Sequence, residues 1–467
     1  MQPFLREKLS EANGLVDLSN VRFSKERLVM RRSAKNIDIT DPDVVMPWVV
    51  DCVKRHYKRH DFRDMLIKHG MSKSDYYIAK HEHNKDAYVP FCKNIAQDAC
   101  ERIKNRRLNL PPITIKERQD PCNGKIRAIG NEGAIQQVLD YIAVYGAMDV
   151  FMRRVVVAQV SSIKDRGQKL GIKLIKSWIR KDNHAAKYAK EHGLKYSRKV
   201  VYFAKLDIRK CFPTAKLEIF LNRFKRDCGN DDLIWLWGQL LLSHRVHGNE
   251  GFMIGALPSC WGLQYMLSFV YRKAMDMHYT RRGQNIKVFY KSTFFMDDLL
   301  FVGSNRRKML AGINELVKYT WENFGLRIKP SWNVVKLTSL TEMDEAKLIA
   351  ESRPEHWHYF RLREKAIDMM GYVIHTDGTC TIRKRIYRRI RRGMLRYNRN
   401  GNYNLKQAQR ACSYKGYVKN SCNNRIDSKY GAWKSFAKAT KVVSTHTKSK
   451  AGATNGKSIL QSTTREN

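Results

Sequence analysis

The run IKVFYKSTFFMDDLLFVGS, residues 286–304, constrains this chain more than any other. Two stretches rich in β-branched and aromatic residues flank an Asp-Asp pair, which predicts two strands joined by a tight turn at Asp297 and Asp298. Hairpin turns favour Asn-Gly or Asp-Gly, and the flanks Phe294-Phe295-Met296 and Leu299-Leu300-Phe301 are too apolar for an ordinary solvated turn. Half-burying adjacent carboxylates is costly unless a cation neutralises them. Alone, the pair reads equally well as a surface turn or as a cation site.

A further carboxylate ends a second β-prone run. KVVYFAKLDI, residues 199–208, reads as a buried strand with Asp207 at its carboxyl end. Strands that end in carboxylates can hold two magnesium ions, which activate an attacking 3′-hydroxyl and stabilise leaving pyrophosphate. Phosphoryl transfer needs little beyond such positioning and charge neutralisation.

The charge balance points to a polyanion. Of the 467 residues, 88 are Lys or Arg and 44 are Asp or Glu, a net charge of +44. A compact chain at that charge repels itself unless a polyanionic partner neutralises it. The cations run along the whole sequence rather than in one juxtamembrane block, which favours nucleic acid over an anionic membrane. The ten cysteines have no CxxC or zinc-type spacing, so they are expected to be reduced and packed in a cytoplasmic protein. His81-x-His83 and His356-x-His358 read as solvated loop histidines. No long apolar run predicts a signal peptide or membrane span.

Apolar spacing of three and four residues predicts helices over most of 44–107. LNLPPITIKERQDPCNGKIRAIG then predicts a hairpin turning at Pro121-Cys122-Asn123-Gly124, with Lys125 and Arg127 just beyond. AIQQVLDYIAVYGAMDVFM reads as a helix, and the lysine-rich 164–199 as a helix and a loop. Further helices are predicted over Asp231–Leu242, Leu263–His278 and Lys308–Phe324, and a hairpin in MMGYVIHTDGTCTIRK turning at Asp377-Gly378. From Ile382 a very basic helix follows, with nine Lys or Arg between residues 383 and 399. Like charges one turn apart destabilise an isolated helix, so this one is expected to face nucleic acid. Residues from about 434 onward read as a disordered basic tail.

Five segments in this order resemble the reverse transcriptase family. NGKIRAIG with Gln136-Gln137 resembles the fingers motifs, KLDIRKCFPT the first palm motif, and IGALPSC the Gly-x-x-x-Ser motif. FMDD resembles the Y/F-x-D-D box, and MMGYVI the primer grip. Ile254-Gly255 and SYKGYVK at 413–419 are most similar to enzymes of diversity-generating retroelements and to unclassified and defence-associated bacterial reverse transcriptases. Cys260 after the motif serine, and Trp332 where a lysine is expected, depart from the pattern, with Lys329 as a substitute general acid.

The resemblance implies an α+β right-hand polymerase with a ferredoxin-like antiparallel palm sheet. Its expected parts are an N-terminal helical extension (1–95), fingers (96–200), a palm (201–375), a basic helical thumb (376–433) and the tail (434–467). It implies two Mg2+ ions, with Mn2+ as a substitute, on Asp207, Ile208, Asp297 and Asp298, of which the three aspartates are catalytic. Lys125 and Arg127 would neutralise the triphosphate. Phe212 would pack under the sugar and exclude a 2′-hydroxyl, and Gly255 would permit close approach. Ser259, Lys329, Arg388, Arg389, Arg391 and Arg392 would contact nucleic acid. Implied partners are a structured template RNA, a primer or cDNA, dNTPs and a small accessory protein, in a bacterial or phage retroelement or an antiphage defence system. A maturase-like RNA-binding scaffold without catalysis is the rival reading. An RNA-dependent RNA polymerase is disfavoured by Phe212, which would clash with a ribose.

Overall fold

The computed structural model describes residues 32–119, 126–246, 248–338, 365–401, 403–422 and 424–446. Lys125, the turn at 121–124, His356, His358 and residues 447–467 lie outside them.

Four helices, Pro42–His56, His60–Lys68, Lys73–Glu82 and Val89–Lys104, occupy the periodic N-terminal stretch. The first is capped by the Asp41 carboxylate, which accepts from Asp43 N, and opens on Pro42, whose missing N–H costs nothing there. Strands β1 (Thr114–Gln119) and β2 (Ile126–Asn131) pair antiparallel, Thr114 opposite Asn131 and Gln119 opposite Ile126. The helix Ala134–Gly146 follows directly. Its Val138, Leu139, Ile142 and Ala143 are sealed from solvent between Pro42–His56, Asp231–Ser243 and Leu257–Met275.

A four-stranded antiparallel sheet holds the candidate site. Its strands are β3 (Tyr202–Asp207), β6 (Lys291–Phe295), β7 (Asp298–Gly303) and β8 (Val334–Lys336), in the order β6-β7-β3-β8. Helices connect β3 to β6, and the helix Arg306–Phe324 connects β7 to β8. The main core packs Leu206, Leu299 and Phe301 of the sheet against Phe220, Phe224, Trp237, Tyr265 and Phe269 of the helices. Burying side chains of this size dominates the stability of such a layer, at roughly 25 cal/mol per Å2 of apolar surface.

Two expectations fail between Leu257 and Lys287. The helix runs Leu257–Met275, not Leu263–His278, because Pro258 sits at its first turn, where proline is tolerated. His278 instead opens β4 (His278–Arg281), which pairs with β5 (Gln284–Lys287). Arg282 (φ 50°) and Gly283 (φ 74°) turn that hairpin with the two positive φ values of a type I′ turn.

The C-terminal part has its own cores. Strands β9 (Ile367–Met369), β10 (Tyr372–Ile374) and β11 (Cys380–Ile382) form a sheet that packs on the helix Gln168–Glu191 through Ile175, Trp178 and Ile179. The basic helix Lys384–Asn400 buries Ile390, Met394 and Tyr397 against the helix Leu405–Lys419 and residues 432–446. The expectation of a disordered tail from 434 is therefore corrected for residues up to 446. They are helical, because Ala432, Phe436 and Ala439 recur at three- and four-residue spacing and close this core. Among the described residues, no helix is long and apolar enough to cross a membrane.

Candidate active site

Strand register, not sequence proximity, assembles the carboxylates. β3 and β7 pair so that Asp207 stands opposite Asp298, and Phe295 stands opposite Asp298 across β6–β7. The two-residue turn is thus Met296-Asp297, one residue earlier than the Asp297-Asp298 expected from sequence, and Asp298 is the first residue of β7. Met296 takes φ 52°, a left-handed conformation that costs a side-chain-bearing residue about 1–2 kcal/mol. Such strain persists only where the surroundings impose it. Here the buried Met296 side chain and a bond from Ile208 N to Asp297 O (3.1 Å) do so.

Two lysines meet two of these carboxylates. Lys329 Nζ lies 2.6 Å from Asp207 Oδ1, and Lys205 Nζ lies 3.2 Å from Asp298 Oδ2. Lys329 is fixed by its own main chain, whose N–H donates to Asp207 O at 2.8 Å. Lys205 precedes Asp207 by two residues and so shares its sheet face. Burial pushes the Asp297 carboxyl up from its ordinary range. The charges of Asp298 and Asp207 add to the shift, and Arg127 opposes it. Arg127, exposed on β2, is therefore within electrostatic reach of Asp297.

The donor set suits a hard divalent cation, since it offers carboxylate oxygens crowded enough that one resists ionising. Among the described residues, however, no three His, Cys, Asp or Glu side chains converge with metal-holding geometry. The lysine ammonium groups stand beside Asp207 and Asp298 instead.

The other predicted residues fall in different places. Phe212, in the short helix Cys211–Thr214, is half-buried against the main core, and its carbonyl accepts from Phe252 N at 2.8 Å. Gly255 (φ 112°) lies under β2; a Cβ there would sit 2.8 Å from Ile129 Cγ2 and 3.1 Å from Gly130 O. Its close approach is to the protein's own hairpin, which also bonds through Gly130 N to Ile254 O at 2.9 Å. Ser259 is fully buried in the helix Leu257–Met275. Arg388, Arg391 and Arg392 are exposed and Arg389 is half-buried. With Lys384 and Arg385, all but Arg391 line a groove of about 600 Å3.

Sequence reasoning missed Lys205, although its i, i+2 spacing to Asp207 on a strand was a usable signal. It also missed Glu132, Asp140 and His244, a buried group whose ends lie 112 positions apart in sequence and that only the fold brings together.

No family model and no curated protein matches the chain. Among solved structures, it superposes on telomerase from Candida albicans in complex with a fragment of telomeric RNA at a TM-score of 0.36 and 11% identity, covering 82% of this chain and 66% of that one. It also superposes on apo telomerase from Candida tropicalis at 0.38 and 10%, covering 75% and 72%. The chain thus spans just under two thirds of the first of these. Superpositions this loose assign neither fold nor chemistry, and the functional reading rests on the residues of the site.

Proposed function

We propose that the chain is a reverse transcriptase, extending a primer 3′-hydroxyl with dNTPs on an RNA template. The observation that carries this reading is the placement of Asp207 opposite Asp298, with Asp297 half-buried on the turn between β6 and β7. Three carboxylates at one end of an antiparallel sheet, in a chain of net charge +44, are hard to explain as structural groups. The sheet β6-β7-β3-β8 would be the palm, β1–β2 part of the fingers, and Lys384–Asn400 part of the thumb.

Asp207, Asp297, Asp298 and the main-chain oxygen of Ile208 would hold two Mg2+ ions. When bound, these ions would activate the attacking hydroxyl and neutralise the leaving pyrophosphate. Arg127, with Lys125, would pair with the triphosphate, for which a guanidinium offers two parallel hydrogen bonds. Phe212 would close the pocket against a 2′-hydroxyl. Arg388, Arg389, Arg391 and Arg392 would hold the template–primer backbone. A structured noncoding RNA, a small accessory protein, and a bacterial retroelement or antiphage setting belong to the same proposal.

The test is primer extension on an RNA template. Asp297→Asn should abolish it while RNA affinity stays nearly intact, because affinity comes chiefly from Lys and Arg contacts to phosphate. Retention of more than about a few per cent of activity would remove the two-metal assignment, since loss of an essential ligand costs orders of magnitude. A second reading, an RNA-binding scaffold without catalysis, is favoured by one observation: lysines pair with Asp207 and Asp298. It predicts that the parent protein extends no primer and that Asp297→Asn changes nothing.

A further inference from the structure

Six of the ten buried side-chain polar atoms that lack a hydrogen-bond partner among the described residues gather in one place. They are Glu132 Oε1, Gln136 Oε1, Gln137 Oε1, both Asp140 carboxyl oxygens and His244 Nε2. Glu132 is 3% exposed, Asp140 1%, and His244 and Gln136 0%. Leaving so many polar atoms unpaired would cost about 1–3 kcal/mol each, so their protonation states have to be arranged to pair them.

The geometry fixes that arrangement. Asp140 and Glu132 face each other, and two carboxylates can bond only if one carries a proton. Burial pushes the Asp140 carboxyl well above its ordinary range, and the charge of Glu132 and the bond to it add to the shift. Asp140 is therefore the protonated member and donates to Glu132. On the other side, Met253 N donates to His244 Nδ1 at 3.5 Å, and His244 Nε2 lies 3.4 Å from Glu132 Oε1. With Nδ1 accepting from Met253 N, Nε2 is the ring nitrogen left to donate toward Glu132. Arg59 Nη2 donates to Glu132 O at 2.6 Å, and its guanidinium also pairs with Asp61. Gln136 Nε2 donates to Ser243 Oγ at 2.8 Å, and Gln137 Nε2 to Glu132 O at 3.5 Å.

The location gives the cluster its role. Glu132 is the residue immediately after β2, the strand that carries Arg127. Met253 belongs to the loop whose Ile254 O accepts from Gly130 N of the same strand. His244 thus ties the root of the β1–β2 hairpin to the loop at 252–256, and Asp140 holds Glu132 from behind. We propose that Glu132, Asp140 and His244 form a proton-carrying clamp that sets the angle of the β1–β2 hairpin, and so positions Arg127 toward Asp297. These are positioning residues. The kinetic part of the test rests on the polymerase reading; the exchange part does not.

The experiment compares Asp140→Asn, His244→Gln and His244→Asn in the full chain. Asparagine reproduces a protonated aspartic acid, so Asp140→Asn should stay within about twofold of the parent in every readout. Glutamine at 244 keeps a donor for Glu132 and loses the acceptor for Met253 N, and asparagine does the reverse. Either change should speed amide exchange across Ile126–Asn131 by about tenfold, while residues 138–143 stay protected. In primer extension, both His244 variants should raise KM for dNTP about tenfold with kcat within about threefold, the signature of impaired substrate positioning. Damage from Asp140→Asn equal to that from His244→Gln would overturn the proposal, because Asp140 would then be acting as an anion. Unchanged exchange in β2, or exchange accelerated uniformly through the helices, would overturn it too. If no parent activity is found, the polymerase reading fails, and the exchange pattern still decides the clamp.

Discussion

The carboxylates of this chain are kept in two opposite ways. Asp207 and Asp298 lie at the open end of a sheet, 38% and 28% exposed at the side chain, and each faces a lysine. Glu132 and Asp140 are sealed behind β2, and among the described residues neither side chain forms an ion pair with a lysine or an arginine. The first pair has water and flexible lysine ammonium groups beside it, and those same groups can yield to a ligand. The second pair can be buried only by sharing a proton, which gives a rigid joint with nothing to exchange. On the proposed reading, chemistry would fall to the exposed set and positioning to the buried one.

A third carboxylate gives the sharpest way to break this contrast. Asp227 is buried yet charged. Burial alone would raise its pKa, but bonds from Arg154 (2.7 and 2.9 Å) and Tyr265 (2.7 Å) outweigh that and hold it below the ordinary carboxylate range. Asp227→Asn leaves Arg154 buried without its counter-charge and should cost about 3–5 kcal/mol in a denaturant titration. A depressed folded-state pKa means that Asp227 stabilises the fold above its unfolded pKa and that this contribution is lost as pH falls through the folded one. The parent should thus lose more stability on acidification than Asp227→Asn. Equal acid sensitivity would show that Asp227 is already neutral, like Asp140.

The basic helix should give the next largest effect. Replacing Arg388, Arg389, Arg391 and Arg392 with Gln should flatten the dependence of log RNA affinity on log salt by roughly one unit for each phosphate that is no longer neutralised. Identical slopes would make this face merely solvated, like Glu191 and Lys187 at the end of the helix Gln168–Glu191. Folding should survive, since the helix is held by Ile390, Met394 and Tyr397 on its other side.

The lysines at the open site permit a finer test. If Lys205 stands where a cation would neutralise Asp298, Lys205→Met should tighten Mn2+ or Ca2+ binding by about threefold to tenfold, or about 0.7–1.4 kcal/mol. Calorimetry reads this without catalysis, and unchanged affinity would show that Lys205 does not compete. Phe212→Ala is expected to have the smallest effect on the fold, because the ring is only half-buried. It should shift nucleotide choice toward ribonucleotides, and undiminished discrimination would reduce Phe212 to a packing residue of the core.

Much of the local structure was legible because it is written in short-range patterns. The β-branched runs before Asp207 and around Asp297 are strands, and the helices at Asp231–Ser243 and Arg306–Phe324 begin at Asn caps that accept from the third residue on. What misled was also local. The helix expected from Leu263 begins at Leu257, with Pro258 in its first turn, and the small polar residues after 434 hid the Phe436 and Ala439 seam.

By itself, the sequence determined which residues could be strands, where the acidic side chains fall along them, and how large an excess of positive charge the chain carries. These are properties of single segments and of their sum. Tertiary structure alone decided that Asp207 faces Asp298, that Lys205 and Lys329 meet these carboxylates, and that Glu132, Asp140 and His244 share one sealed space. Register and burial set those contacts, and both depend on segments distant in sequence packing to one particular distance, which no local pattern encodes.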